Sequence, residues 1–254
     1  MRNTFSLLLL FLMCIPATLF SQKTSTTQHL RIMSYNVRNG IGMDNQTDYR
    51  RVANVITKQK PDVVALQELD SVTTRSEQTD VLKSIADATR MHPTYAAAIP
   101  HQGGKYGIGI LSKEKPLAFR IVELPGREEK RTLLIAEFEQ YIFCSTHFSL
   151  TEEDQLASVK ILADELNDIR KPLFLAGDLN TLPDSPVMGS LKEKFTLLSG
   201  VDAGTYPADK PEDCIDYILL WNDGRSECVL RRSHVVEEPL ASDHRPIVAD
   251  VSFK

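Results

Sequence analysis

An α/β fold of one domain, with two facing mixed β-sheets and helices on their outer faces, is predicted by three features of the chain. Short aliphatic runs bounded by Gly, Pro or charged residues alternate with segments whose apolar residues recur at helical spacing. Between residues 94 and 148 this gives way to closely spaced strands, which pair antiparallel, so the sheets must be mixed. The 254 residues, 42% hydrophobic and 25% charged, suffice for one sizeable core and contain no internal period that would mark a solenoid.

The N-terminus stands apart from that domain. Arg2 precedes an apolar stretch from Phe5 to Phe20, broken by Ser6, Pro16 and Thr18, with the charge and length of a cleavable signal peptide rather than a membrane span. Cleavage is expected after Ser21, which makes residues 1–21 the signal peptide, 22–28 a polar linker and 29–254 the folded domain of a secreted or periplasmic protein. A retained anchor is the competing reading, and Pro16 and the polar segment from Gln22 to Gln28 weigh against it. Lipidation at Cys14 is disfavoured because Met13 is not a small residue.

Within the domain, Leu30 and Ile32 alternate in a strand that ends at Ser34-Tyr35-Asn36. Asp48 can cap a helix whose Val52, Val55 and Ile56 share a face, closed by Pro61. Val63 to Gln67 reads as a buried strand followed by Glu68, and a helix over 77–90 turns Val81, Leu82 and Ile85 inward. Five strands follow: Tyr95 to Ile99, Tyr106 to Leu111, Leu117 to Leu124, Thr132 to Phe138 and Tyr141 to His147. Thr151 with Asp154 signals a capping box before Leu156, Val159, Leu162, Leu166 and Ile169. Leu173 to Ala176, a short helix near 187–194, and strands over 214–220, 228–236 and 246–252 complete the chain.

Removing the signal peptide leaves 28 basic against 34 acidic side chains, a net charge of −6, with no basic arm; tight nucleic-acid binding is not favoured, although a local groove is allowed. Cys144, Cys214 and Cys228 remain, an odd set that is neither a disulfide framework nor a Cys-x-x-Cys zinc site. Buried thiols are expected, with a Cys214–Cys228 bridge as the alternative.

Chemistry concentrates at strand ends. Asn36, Glu68, and Asp178 with Asn180 each follow an aliphatic run, and Ser242-Asp243-His244 precedes another. Oxygen donors converging from several strands, with a late Asp-His pair, suit a hard divalent cation and a hydrolysed phosphate ester. Each motif alone is bland: Asn36 reads as a turn residue, Glu68 as a solvated strand end, His147 as a core histidine.

Their order is informative. Met33-Ser34-Tyr35-Asn36-Val37-Arg38, Gln67-Glu68, Ser145-Thr146-His147, Gly177-Asp178-Leu179-Asn180, Ile215-Asp216-Tyr217-Ile218 and Ser242-Asp243-His244-Arg245-Pro246 together resemble the endonuclease/exonuclease/phosphatase superfamily. That family includes deoxyribonucleases, abasic-site endonucleases, neutral sphingomyelinases and inositol polyphosphate phosphatases. The resemblance implies a four-layer sandwich of two mixed sheets flanked by helices, and Mg²⁺ or, in its place, Mn²⁺. It assigns Glu68, Asn36 and Asp243 to the metal side. Asp178 would orient or deprotonate the attacking water, and Asn180 would hold that water or a phosphate oxygen. His244 would contact the scissile phosphate with Asp216 as its partner, and His147 would serve the departing oxygen.

Arg38 is the leading phosphate clamp; for Arg75 and Arg131 a solvated charge serves as well. Asp44 is a marginal metal or hydroxyl contact. Relatives often carry an Asn in the strand where this chain has Ile108 and Gly109, so one substrate contact has no counterpart here. The expected activity is hydrolysis of a phosphodiester or phosphomonoester, on a small or lipid-derived substrate. A secreted nuclease using Arg38, Arg75, Lys105 and Arg127, and a non-catalytic binding module on the same scaffold, are the alternatives.

Overall fold

The alternation of Leu30 and Ile32 becomes β1 (Gln28–Asn36), paired in parallel with β2 (Val63–Ser71) and antiparallel with β12 (Ile247–Phe253). A computed structural model describes residues 27–222, 224 and 227–254; the expected signal peptide and most of the linker lie outside the described residues. One sheet has the order β11-β12-β1-β2-β4-β3, adding β11 (Cys228–Val235), β4 (Gly104–Ser112) and β3 (His92–His101). The other has the order β5-β6-β7-β8-β10-β9: β5 (Ala118–Leu124), β6 (Arg131–Glu137), β7 (Ile142–His147), β8 (Leu173–Asp178), β10 (Asp216–Trp221) and β9 (Phe195–Leu197). Each sheet has six strands and is mixed, as the sequence predicts.

Strand alternation sorts the side chains into layers. Leu30 and Ile32, Val63 and Ala65, Ile108 and Ile110, Leu134 and Ala136, Phe174 and Ala176 all face the space between the sheets. The opposite face of the first sheet packs on α1 (Tyr49–Gln59) and α2 (Val81–Thr89), which contribute Val52, Ile56, Leu82 and Ile85. That of the second packs on α3 (Glu152–Leu166) and α4 (Pro186–Lys192), through Leu162, Leu166, Val187 and Leu191. The result is helix, sheet, sheet, helix: a four-layer sandwich. Among the described residues no helix is long and apolar enough to cross a membrane.

Three details depart from the sequence reading. The second helix begins at Val81, capped by the Asp80 carboxylate on Lys83 N, because Glu77 and Gln78 take positive φ in the preceding turn. Thr151 makes no side-chain cap; the capping-box partner Asp154 is drawn instead to Arg127 and Ser149, and three acidic residues in the first turn complement the helix dipole. The three-residue β9 was too short to register as a period. The cysteines follow expectation: Cys144, Cys214 and Cys228 are free thiols, the first two buried and Cys228 half-buried.

The second sheet leaves no room for a side chain at Gly177, between Ala176 and Asp178: a Cβ there would lie 2.1 Å from the carbonyl oxygen of Thr146 on β7. Gly177→Ala must push β8 from β7, and overpacking of this kind costs about 1–3 kcal/mol. A lowered urea midpoint with unchanged slope is the expected outcome; an unchanged midpoint would show that the strands absorb the methyl group freely.

Candidate functional site

Register brings the first three acid and base groups into one row. β7 and β8 are parallel with His147 opposite Asp178, while β8 and β10 are antiparallel with Asp178 opposite Asp216. Cross-strand partners share a face, so His147, Asp178 and Asp216 lie side by side directly above the row Ser145, Ala176, Ile218 and the apolar row Phe143, Phe174, Leu220 beneath it. All three are buried. The turn after β8 is tight: Asn180, at φ 48°, donates its backbone N–H to Asp178 Oδ1 at 3.0 Å. Its Nδ2 donates to the carbonyl of Phe148 at 3.0 Å, leaving Oδ1, an acceptor, as the end available to a water.

The first sheet closes over this row. Asn36 Nδ2 donates to Glu68 Oε1 at 2.9 Å and to Asp178 Oδ2 at 3.0 Å, so the end of β1 is bonded to the end of β8 across the sandwich. Glu68 arrives by an irregularity. Val63, Ala65 and Gln67 face inward and Val64 and Leu66 face the helices, so a regular β2 would turn Glu68 away from the site. A bulge between Leu66 and Leu69, with Glu68 at φ 59°, turns it back, and the strand continues to Ser71 rather than ending.

The segment before β12 supplies the rest. Ser242 donates to the carbonyl of Asn36 at 2.8 Å, which holds Asp243 and His244 against β1. Asp243 lies 3.5 Å from Arg38 Nε. His244 Nδ1 is 2.9 Å from Asp216 Oδ2 and its Nε2 3.7 Å from Asp178 Oδ2, with the Tyr206 ring packed on the imidazole at 4.9 Å between centroids. Asn36, Arg38, Glu68, His147, Asp178, Asn180, Asp216, Asp243 and His244 are therefore in one cluster.

The two histidines differ in charge. Burial alone would lower the His244 pKa, but Asp216 and Asp178, with the Asp216 hydrogen bond and Asp243, push it up to about 10. His147 falls to about 4: burial lowers it, Asp178 opposes, and the Arg131 and His244 charges depress it further. At neutral pH His244 is an imidazolium and His147 a neutral ring.

The acidic side of the cluster suits a hard cation. Burial raises the Glu68 pKa, the Asn36 hydrogen bond opposes, and the charges of Asp243 and Asp178 raise it again, so Glu68 is left short of positive charge. Carboxylate and amide oxygens without thiols are the donor set for Mg²⁺ or Mn²⁺. Asp178, Asp216 and His244 also offer ligand atoms within 4.8 Å of one another. An imidazolium has no lone pair for a metal, and Asn36 turns its Nδ2 to Glu68 while its Oδ1 accepts from the backbone N–H of Arg38 at 3.1 Å, so the carboxylates of Glu68 and Asp243 are the better fit, with Asn36 bracing Glu68 rather than ligating as expected.

Some side chains behave otherwise than expected. Arg131 is not a solvated charge: it is 6% exposed, bonds His147 Nδ1 at 3.3 Å, and pairs with Glu129 at 2.8 Å. Arg75 is bidentate to the fully buried Asp70 and lies over the Tyr106 ring at 5.4 Å. Asp44 is held by Arg51 rather than turned to the site. Ile108 joins the inter-sheet core, and a side chain at Gly109 would run into Leu82 and Leu69, so neither position serves a substrate. The cleft end of β4 is instead occupied by Tyr106, which the alternation Tyr106, Ile108, Ile110 could have revealed. No sequence signal singles out Tyr206.

The Endonuclease/Exonuclease/phosphatase family model matches residues 33–244, and the chain belongs to that family. No curated protein matches it. Among solved structures, an endonuclease/exonuclease/phosphatase from Bacteroides vulgatus has a TM-score of 0.74 at 17% identity, covering 89% of this chain and 100% of that one. One from Beutenbergia cavernae has a TM-score of 0.68 at 22% identity, covering 88% and 71%. The mannosyl-6-phosphatase Bt3783 of Bacteroides thetaiotaomicron has a TM-score of 0.69 at 15% identity, covering 87% and 99%. Family members are hydrolases of phosphate esters, generally dependent on a divalent metal.

The His244–Asp216 pair makes stability depend on pH. The folded pKa lies above that of a free imidazole, so the stabilisation is fully present below pH of about 6.5 and is lost as pH rises through about 10. Thermal unfolding of chelated protein across that window should show the alkaline loss, and Asp216→Asn should flatten it. A variant that loses stability in parallel with the wild type would show that the pair is not its source.

Proposed function

We propose that the chain is an exported, Mg²⁺-dependent phosphoesterase that hydrolyses a small or lipid-derived phosphate ester by in-line attack of water. The observation that carries this reading is the convergence on Asp178: its Oδ2 lies 3.0 Å from Asn36, 3.5 Å from His147 and 3.7 Å from His244. A carboxylate so placed can accept a proton from water held at Asn180 Oδ1. The His244 imidazolium faces charge developing on the phosphate, and neutral His147 can donate a hydrogen bond to the departing oxygen. Arg38 stands at the edge to bind a phosphate oxygen. A divalent cation held by the carboxylates of Glu68 and Asp243, with Asn36 bracing Glu68, would supply electrophilic stabilisation of the ester.

The substrate class is supported by charge. The mature chain is acidic, and Arg38, Arg75 and Arg127 are each paired with an aspartate, which weakens any continuous basic track for a nucleic-acid backbone. The similarity to a sugar phosphatase points the same way. Export rests on the signal-peptide pattern, and N-terminal sequencing of extracellular or periplasmic protein is expected to begin at Gln22.

Sugar phosphates, phospholipid headgroup esters and plasmid DNA, tested side by side with Mg²⁺ and with EDTA, form the decisive panel. Small esters are expected to be cleaved and chelation to abolish turnover. Asp178→Asn and His244→Ala should each lower kcat by about 10²–10⁴-fold. Full activity in Asp178→Asn would refute the assignment, and preferential cleavage of DNA would make this a nuclease.

A further inference from the structure

We propose that Arg131 is a positioning residue: its guanidinium fixes His147 in the tautomer that carries the ring proton on Nε2, aimed at the Asp178 side of the cleft. This rests on the reading of His147 as a hydrogen-bond donor to the departing group. A guanidinium has donors and no acceptor, so the 3.3 Å contact between Arg131 Nη1 and His147 Nδ1 requires Nδ1 to be the acceptor. The neutral ring must then hold its proton on Nε2, the nitrogen 3.5 Å from Asp178 Oδ2. His244 shows the reverse arrangement, with Nδ1 against the Asp216 carboxylate. A carboxylate partner leaves the far nitrogen free to act as a base in the neutral ring; an arginine partner makes the far nitrogen a donor.

The surroundings are built to hold the guanidinium in place. Arg131 opens β6 and is more than nine-tenths buried, where an unpaired cation would be costly. Glu129 lies 2.8 Å from Nη1 and Glu128 3.3 Å from Nη2. Glu128 also accepts from Ser149 Oγ at 2.9 Å and from the backbone N–H of Leu150 at 2.8 Å. The same carboxylate therefore braces both the arginine and the segment that follows His147. Arg127, bonded through its backbone N–H to Asp154 at 2.8 Å, fastens the rest of this loop to the start of α3. Gly126 allows the turn, since a Cβ there would meet the carbonyl of Glu129 at 1.9 Å.

Long-range ¹H–¹⁵N correlation spectra of histidine-labelled protein at neutral pH, assigned with His147→Gln, read the tautomer without any turnover. The wild type should show His147 as a single Nε2–H form; an Nδ1–H ring or an imidazolium would overturn the proposal even if no variant folds. Arg131→Met should lose that single form and lower kcat by about 10–100-fold while KM changes by less than about threefold. Arg131→Gln, which keeps an amide donor, should restore the tautomer and most of kcat. Arg131→Met that keeps the Nε2–H form, or whose loss lies entirely in KM, would show that Arg131 does not act through the ring. Because the spectra need no substrate, an intact tautomer in a protein that hydrolyses nothing would count against the proposed activity and leave this inference standing.

Discussion

The inter-sheet core is the constraint on which the rest depends. Ile32, Val63, Ile110, Phe143, Phe174, Ile218 and Ile247 come from seven strands of two sheets, and their burial sets the distance and register at which the sheets meet. Asn36, His147, Asp178 and Asp216 continue the same inward faces, two residues on from Ile218 in β10 and four on from Ile32, Phe143 and Phe174 in β1, β7 and β8. A one-residue slip in β7 or β8 would send its acid or base to the helical side. Thus the apolar packing that stabilises the sandwich also fixes the geometry of the charged row, and the Ser242 hydroxyl, more than 200 residues away in sequence, donates to the backbone carbonyl of Asn36 at its edge.

Where the regular lattice does not deliver a group, a local distortion does. Glu68 reaches the cluster through a bulge at positive φ, and Asn180 adopts a left-handed turn immediately after Asp178. Such conformations are costly for residues with side chains and persist when the surroundings over-determine them. Here Asn36 holds Glu68, while Asp178 and Phe148 hold Asn180. The distortions occur at the rim, above the regular core.

Charge is arranged with comparable care. Two imidazoles contact the same aspartate, yet Asp216 keeps one protonated and burial beside Arg131 keeps the other neutral. The pair thus offers a full positive charge and a neutral group at opposite sides of one carboxylate. Glu68, buried beside the charges of Asp243 and Asp178, is left with less positive charge than it needs, which is the electrostatic setting for a divalent cation.

Much of this was legible beforehand because it is local. Alternation located nearly every strand, helical spacing gave the amphipathic helices, and oxygen-bearing residues just past aliphatic runs marked the rim. Family membership followed from the order of six short motifs. Illegible features were those made by partners distant in sequence. Nothing in the string reveals that Arg131 is buried against His147, that Arg75 is spent on Asp70, or that Tyr206 packs on His244. The sequence by itself determined which side chains can carry charge, donate or accept, and on which strand face each falls. Only the tertiary structure decided which of them meet, and so which histidine keeps its proton, because pKa and tautomer depend on burial and on charges a few ångströms away in space.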